Sequence, residues 1–265
     1  MAERECIIES VKALTSISTH VRIVSMKVVI LCGGRGTRLA EETVYKPKPL
    51  VMVGDRPILW HIMKLYSFYG YNDFVLCLGY KGNMIKDYFM DKKNREENWN
   101  IIFTDTGIES GTENRLLQIR PHIQNENNFC LTYGDGVADV NIGALIAQHN
   151  SCSKMVTVTG VKPPNPFGVL EIDNGLVKTF AEKPKSSDWT NGGFFVMSSK
   201  TFDLLSIDPS AMLEFHILPK LAHAGEVALY AHNDFWHCID TLKHLEGLNA
   251  LYKKNERPWM VWEKS

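Results

Sequence analysis

The stretch of sequence that decides the fold is a short apolar run followed at once by a glycine-rich turn, Val28-Val29-Ile30-Leu31-Cys32-Gly33-Gly34-Arg35-Gly36-Thr37-Arg38-Leu39. The branched apolar residues and the glycines after them predict a buried β-strand over 27–32. Apolar residues at helical spacing over 58–69 then predict an amphipathic helix. A strand followed by such a helix is how a βαβ unit begins, so we expect parallel strand pairing.

The rest of the first half repeats this alternation of apolar runs and helical stretches. We predict further strands at 73–78, 99–104 and 129–133, and a short helix at 84–89. Strands separated by helices predict a largely parallel sheet with helices on both faces. The expected fold class is therefore α/β, a Rossmann-like three-layer sandwich with a mostly parallel mixed sheet.

Beyond about residue 150 the apolar runs follow one another with only turns between them, at 155–159, 168–172 and 177–180. Asp173-Asn174-Gly175 is typical of the tight turn that joins two hairpin strands. We expect this half to be α+β and to continue the same sheet. The chain is then a single domain over 26–265, with 26–150 and 151–265 as its two halves. Its site should lie at the carboxyl ends of the strands, where open α/β sheets bind ligands.

Composition argues against several classes of protein. The 265 residues are 45% hydrophobic and 22% charged, which is the balance of an ordinary globular chain. A formal net charge of -1 provides no broad positive field for nucleic acid. The six cysteines are scattered and form no Cys-x-x-Cys pair, which argues against zinc and against a disulfide framework.

The first 25 residues are predicted to form an extension outside the fold. Residues 1–25 contain Glu3, Glu5 and Glu9, whereas export and transit signals avoid acidic residues. No apolar run in the chain reaches the roughly 18 residues that span a bilayer. We therefore expect a cytoplasmic protein with no membrane partner.

The glycine-rich turn predicts a phosphate site. Glycines let backbone N–H groups approach a polyphosphate closely, and Arg38 offers a planar fork of donors. The turn is not a Walker loop, which needs Gly-Lys-Ser/Thr. It is not the Rossmann Gly-x-Gly-x-x-Gly either, because Thr37-Arg38-Leu39 occupies the positions of the last glycine, and this argues against an oxidoreductase. An ordinary turn is the alternative interpretation of the glycines alone.

A basic segment with alternating prolines follows the turn, Tyr45-Lys46-Pro47-Lys48-Pro49-Leu50. Proline fixes φ, so the ammonium groups of Lys46 and Lys48 are held on a stiff, extended stretch that suits a phosphate site. A solvated basic turn is the alternative. The position of the segment just after the glycine-rich turn favours the phosphate site.

Two aspartates are candidate metal ligands. Asp135 follows a predicted strand in Tyr133-Gly134-Asp135-Gly136, and Asp240 ends a later apolar run in Cys238-Ile239-Asp240-Thr241. Mg²⁺ prefers one or two carboxylates together with substrate phosphates. Helix capping or a turn is the alternative for either residue, and for Asp240 in particular because an apparent helix begins at Leu242.

Five motifs in this order resemble the sugar-phosphate nucleotidyltransferase family: Gly-Gly-x-Gly-Thr-Arg-Leu, Lys-Pro-Lys-Pro, Tyr-Gly-Asp-Gly, Glu-Lys-Pro and Asn-Gly-Gly-Phe-Phe-Val. The resemblance covers residues 26–265. The Lys-Pro-Lys-Pro segment, Trp60-His61-Ile62-Met63-Lys64, Asp105-Thr106-Gly107 and residues 133–139 are similar to the branch that transfers cytidylyl groups.

The resemblance implies a fold, a reaction and roles for single residues. The fold is that of the nucleotide-diphospho-sugar transferases, with a nucleotide-binding half followed by a sugar-binding half. The reaction is Mg²⁺-dependent transfer from CTP to α-D-glucose 1-phosphate by a homo-oligomer. The implied nucleotide-binding residues are Leu31, Gly33, Gly34, Gly36, Thr37, Arg38, Lys48, Asp105, Thr106, Gly107 and Arg115. The implied sugar-binding residues are Gly168, Glu182, Lys183 and Asn191, and the implied metal ligands are Asp135 and Asp240. The implied catalytic cations are Arg38, Lys48 and Lys183.

Alternatives to the implied reaction stay open at this level. The same chemistry with UTP or dTTP is one, and a non-catalytic sugar-nucleotide-binding regulatory protein is another. The chain also departs from the family's pattern. The segment between Phe89 and Trp99 is shorter, Pro166 stands where the family often has arginine, and the stretch 213–218 contains His216.

Overall fold

The computed structural model describes residues 26–94, 97–165, 167–182 and 186–264. The extension 1–25 therefore lies outside the described residues, as do Lys183 and Pro166. The strands are β1 (Val28–Leu31), β2 (Met52–Val53), β3 (Arg56–Pro57), β4 (Asp73–Leu78), β5 (Asn100–Asp105), β6 (Asn128–Tyr133), β7 (Gly136–Ala138), β8 (Val156–Val161), β9 (Val169–Asp173), β10 (Leu176–Ala181), β11 (Thr190–Ser198), β12 (Val227–Ala231) and β13 (Trp236–Cys238).

The helices alternate with these strands in the first half of the chain, as the sequence predicts. They are α1 (Ala40–Thr43), α2 (Ile58–Phe68), α3 (Gly82–Met90), α4 (Thr112–Gln118), α5 (Arg120–Ile123), α6 (Ile142–Cys152), α7 (Ile217–His223) and α8 (Leu242–Lys253). Short 3-10 turns cover Thr37–Leu39, Lys48–Leu50, Lys92–Asn94, Ser199–Leu204 and Val261–Glu263.

A seven-stranded sheet with the order β12-β8-β11-β6-β1-β4-β5 forms the centre of the molecule. β1 pairs in parallel with β4 on one side and with β6 on the other. The pairs β4–β5 and β8–β12 are also parallel. β11 is antiparallel to both β6 and β8, so it joins the strands of the first half to those of the second. The mostly parallel, mixed α/β sheet is therefore confirmed.

Two hydrophobic cores cover the two faces of this sheet. Val28 and Ile30 of β1 belong to the core that contains α2 and α8 side chains. Val29 and Leu31 belong to the core that contains α4 and α7 side chains. Alternate residues of a strand point to opposite faces, so a strand buried on both faces must be apolar throughout. The continuous apolar run of β1 is explained by this placement at the centre.

The predicted hairpin of the second half is confirmed as β9 and β10. The two strands are antiparallel and form a sheet of their own. Asn174 and Gly175 have positive φ angles of 48° and 81°, the combination that matches the twist of a two-residue hairpin loop. All residues of both strands are exposed, so the hairpin stands outside the two cores.

Within the described parts of the chain, no helix combines the length and the hydropathy that crossing a membrane requires.

Candidate active site

Two adjoining cavities lie at the carboxyl ends of β1 and β6. The first cavity, of about 470 Å³, is lined by the glycine-rich turn, by Lys48 and by residues 108–112. The second cavity, of about 380 Å³, is lined by residues of β11 and β13 and by Asp240. The two cavities share Arg38, Tyr133 and Asp135 in their walls. This is the edge of the sheet at which the sequence places the site.

The glycine-rich turn lies tightly over a buried arginine. Gly36 has a φ of 63°, a left-handed conformation that glycine adopts without steric cost. A Cβ atom on Gly33 would lie 1.9 Å from Nη1 of Arg115, so only glycine leaves room for the guanidinium there. The turn can therefore approach a ligand closely on its open side.

Arg115 is buried and anchors the turn. Its guanidinium donates hydrogen bonds to the carbonyl oxygens of Leu78 (3.1 Å), Gly33 (3.2 Å) and Ile108 (3.1 Å), and to Oγ1 of Thr106 (2.8 Å). All four acceptors are neutral, and burial lowers the pKa of Arg115. Arg115 also lines the first cavity, and its guanidinium joins the glycine-rich turn to the segment that begins at Ile108, which are two parts of the cavity wall.

Lys48 stands between the two predicted metal ligands. Its Nζ donates to Oδ2 of Asp135 at 2.7 Å and to Oδ1 of Asp240 at 2.9 Å. Arg38 Nη1 donates to the other oxygen of Asp240 at 3.0 Å. Lys46, by contrast, pairs with Glu42 on α1 at 3.1 Å and lines neither cavity.

The charges in this cluster shift one another's protonation. Burial alone would lower the pKa of Lys48, but the hydrogen bonds and negative charges of Asp135 and Asp240 raise it. Burial would raise the pKa of Asp240, but the hydrogen bond and charge of Lys48 and the charge of Arg38 lower it. The lysine and this aspartate are therefore ionised at neutral pH.

The cluster has the donor chemistry that a divalent cation requires. Asp135 and Asp240 both lie within hydrogen-bond distance of one ammonium group, so their oxygens already converge on a single cation. Among the described residues, no group of three or more His, Cys, Asp or Glu side chains could hold a metal by itself. A metal here would depend on two carboxylates and on ligands from the substrate, which is the pattern that Mg²⁺ prefers.

The capping role that the sequence leaves open for Asp240 is wrong. Thr241 is the N-cap of α8, and its side-chain oxygen accepts from the backbone N–H of His244. The carboxylate of Asp240 is thereby free to face the cluster. An adjacent threonine is a strong N-cap residue, which is the signal that identifies the cap.

A family model described as nucleotidyl transferase matches residues 27–255. The chain belongs to the nucleotidyl transferase family. A Bacillus subtilis protein named "Probable glucose-1-phosphate cytidylyltransferase" is 46% identical over 89% of the chain and 100% of its own length. The glucose-1-phosphate cytidylyltransferase of Salmonella typhi is 43% identical over 90% of the chain and 100% of its own length.

Other proteins resemble this chain at lower sequence identity. Mannose-1-phosphate guanyltransferase 2 of Candida glabrata is 28% identical over 86% of this nucleotidyl transferase chain and 64% of its own length. Among solved structures, HddC from Yersinia pseudotuberculosis has a TM-score of 0.68 at 22% identity and covers 86% of this chain and 99% of that one. That likeness shows the fold alone.

Some of the site residues expected of this nucleotidyl transferase lie beside the cavities rather than in their walls. Thr106 is buried, and Asp105 and Gly107 are exposed, whereas the following residues 108–112 line the first cavity. Gly168 and Glu182 are neighbours, because a Cβ on Gly168 would lie 3.1 Å from Oε2 of Glu182. Both are exposed and neither lines either cavity, while Asn191 lines the second.

The sequence did not single out Glu214 and Trp236, which line the second cavity. Glu214 comes from the segment before α7 and Trp236 from the start of β13, and neither carries a spacing signal. The departure at His216 has a structural reason: its Nδ1 lies 2.9 Å from Oε1 of the fully buried Glu113 on α4. This contact ties the segment that carries Glu214 to the wall of the first cavity.

Proposed function

We propose that this nucleotidyl transferase transfers the cytidylyl group of CTP to α-D-glucose 1-phosphate and releases pyrophosphate and CDP-glucose. The observation that carries the proposal is the cluster of Lys48, Asp135, Asp240 and Arg38 at the junction of two cavities. Such a junction suits a reaction that joins two phosphate-bearing substrates. The named relatives support cytidylyl over guanylyl transfer, at 43% and 46% identity against 28%.

The chemistry requires alignment and neutralisation of charge rather than a protein nucleophile. An oxygen of the sugar phosphate attacks the α-phosphorus of CTP in line, and the bond from that phosphorus to the oxygen of the departing pyrophosphate breaks. In this proposal the first cavity takes the triphosphate and the second takes the sugar phosphate. Arg38 and Lys48 neutralise the negative charge that accumulates where the phosphates of the two substrates meet. Such neutralisation is the usual way to accelerate this kind of transfer.

Mg²⁺, held by Asp135 and Asp240, would supply further neutralisation and orientation of the phosphates when bound. Lys48 bridges these carboxylates in the structure and lines the first cavity, where its ammonium group is proposed to contact a phosphate of the nucleotide. Lys183, which lies outside the described residues, is proposed as a third cation on the sugar phosphate.

The remaining assignments divide between the two substrates. The glycine-rich turn and Arg115 are proposed to hold the nucleotide, with Asp105-Thr106-Gly107 supporting its base and ribose. Asn191, Gly168 and Glu182 are proposed to hold the sugar. For the last two this requires the exposed hairpin to approach the second cavity when substrate binds.

The experiment that tests the function is pyrophosphate release from CTP, UTP, dTTP and GTP, each with several sugar 1-phosphates, in the presence and absence of Mg²⁺. We expect release with CTP and glucose 1-phosphate only when the metal is present. Faster pyrophosphate release with UTP or dTTP than with CTP would show that CTP is not the preferred nucleotide. Binding of nucleotide without any release of pyrophosphate would contradict the proposed activity and would indicate a regulatory protein instead.

A further inference from the structure

The second cavity contains a carboxylate that the proposed chemistry does not use. Glu214 lines the cavity together with Tyr133 and Asn191, and it stands on the segment before α7. Asp135 and Asp240 are neutralised by Lys48 and Arg38. Within the described ranges, no ion pair joins Glu214 to a lysine, arginine or histidine.

Two hydrogen bonds from neutral donors converge on this carboxylate. Tyr133 donates its hydroxyl to Oε1 of Glu214, and Thr112 donates its hydroxyl to Oε2 at 2.8 Å. Asn191 donates its side-chain N–H to the Tyr133 oxygen at 3.4 Å. The backbone N–H of Leu213 donates to Oγ1 of Thr112 at 2.9 Å. Glu214 thus accepts the hydrogen bonds of a network that extends from Thr112 in the first cavity to Asn191 in the second.

The hydrogen-bond network also keeps the hydroxyl group of Tyr133 protonated. Burial, and then the charge of Glu214, raise the pKa of Tyr133, so the phenol remains a donor at neutral pH. Two hydroxyl donors use only part of the acceptor capacity of a carboxylate, which has about four lone-pair positions. The remaining positions are available to a ligand in the cavity.

The part of the wall around the Glu214 carboxylate suits the sugar end of a sugar phosphate and not its phosphate end. The phosphate end is repelled by Glu214 and attracted by Arg38, which lies in the same cavity wall. Hydroxyl groups of the sugar ring are donors that a carboxylate accepts strongly. Trp236 forms a further part of the wall, held by its Nε1–H donating to the carbonyl oxygen of Gly192 at 2.7 Å.

We infer that Glu214 is a specificity-determining residue that accepts a hydroxyl group of the sugar and so orients the sugar 1-phosphate with its phosphate toward Arg38 and Lys48. The inference rests on the proposed function, because it assigns the second cavity to the sugar substrate. The inference makes a more specific claim than the proposed function does. A substrate that lacks the matching hydroxyl leaves the carboxylate without its partner and is rejected.

The test compares glucose 1-phosphate with its 2-, 3-, 4- and 6-deoxy analogues in wild type, Glu214→Ala and Glu214→Gln. In wild type we expect at least one analogue to lose about 10- to 100-fold in kcat/KM, the size of a hydrogen bond to a charged group. In Glu214→Ala that discrimination should nearly vanish. The KM for glucose 1-phosphate should rise about 10-fold or more, while the KM for CTP stays within about 2-fold.

The other variants keep the test informative. Glu214→Gln retains the size and one carbonyl oxygen, so it should fold if Glu214→Ala does not and should retain part of the discrimination. Tyr133→Phe removes one donor that orients the carboxylate and should weaken the discrimination less than Glu214→Ala. Glu246→Ala, on the exposed surface of α8, is the matched control and should behave as wild type.

The outcomes separate the inference from the function on which it rests. Absence of pyrophosphate release by wild type with CTP and glucose 1-phosphate contradicts the proposed function; the deoxy series of whichever sugar 1-phosphate is then accepted tests Glu214 in the same way. An active wild type whose rejection of every deoxy analogue is unchanged in both Glu214 variants overturns the inference. So does an equal rise in the KM for CTP, which would show a structural role only.

Discussion

The ammonium group of Lys48 donates a hydrogen bond of 2.9 Å to the carboxylate of Asp240, which lies 192 residues further along the chain. Lys48 stands on the 3-10 turn after a proline, and Asp240 stands between β13 and α8. The contact joins the beginning and the end of the fold at the junction of the two cavities. Each residue is partly buried, with 12% and 23% of its side chain exposed, so solvent screens this attraction less than it would on the surface.

Replacing Lys48 should slow the reaction far more than replacing its neighbour. We expect pyrophosphate release by Lys48→Ala to fall about 100- to 1,000-fold, because loss of one electrostatic partner of the transition state typically has this effect. Lys46→Ala is the matched control, since Lys46 pairs with Glu42 and should change the rate less than about 3-fold. Equal rates for the two variants would contradict the assignment of Lys48 to the active site.

Replacing either aspartate should change the response to the metal. In Asp135→Asn and Asp240→Asn we expect the Mg²⁺ concentration for half-maximal rate to rise about 10-fold or more, because an amide oxygen replaces a charged ligand. Chelation should abolish pyrophosphate release by wild type and Mg²⁺ should restore it. Titration of the rate with Mg²⁺ measures both effects, and an unchanged Mg²⁺ requirement in both variants would contradict the ligand assignment.

The glycine-rich turn offers a matched pair of stability variants. Gly33→Ala places a Cβ atom 1.9 Å from Nη1 of Arg115, whose guanidinium is held by its hydrogen bonds and cannot move without losing some of them. We expect the free energy of unfolding to fall by about 1–3 kcal/mol. Gly34→Ala meets no atom within 4 Å and should change it by less than about 0.5 kcal/mol. Urea denaturation measures the difference, and equal values would show that Arg115 does not restrict the turn.

The stability of the protein should decrease on acidification because of His61. Its ring is 1% exposed, its Nε2–H donates to the carbonyl oxygen of Val53 at 2.9 Å, and Nδ1 has no partner. Burial lowers the pKa of His61 from 6.5 to about 4. The unfolded chain therefore takes up a proton on this residue at a higher pH than the folded chain does, so stability is lost as the pH falls from 6.5 toward 4.

The shift corresponds to about 3 kcal/mol of free energy of unfolding between those pH values. We expect His61→Phe to remove most of this pH dependence, while His223→Phe, at an exposed position, leaves it unchanged. Urea denaturation at pH 7.0, 5.5 and 4.5 checks the prediction. An identical pH dependence in wild type and His61→Phe would show that the ring titrates at its ordinary pKa in the folded protein.

The order of the elements and the position of the first phosphate-binding segment follow from the sequence. The apolar run before Gly33 predicts the central strand because only a strand buried on both faces has no polar alternation. The hairpin follows from Asn174-Gly175, since few other pairs adopt the two positive φ angles that the turn requires. Pro47 and Pro49 similarly predict a stiff segment that presents Lys48, although Lys48–Leu50 form a 3-10 turn rather than the expected extended stretch.

The sequence by itself determined what is local: which residues form strands and helices, and which short motifs have phosphate and carboxylate chemistry. The tertiary structure decided which of these residues meet. Lys48 joins the cluster, whereas Lys46 pairs with Glu42. Thr241 caps the helix, and Asp240 lies in the cluster. Glu214 accepts a hydrogen bond from Tyr133. The physical reason is that strand and turn preferences act between near neighbours in the chain, whereas a site at the edge of a sheet is assembled by the packing of distant segments.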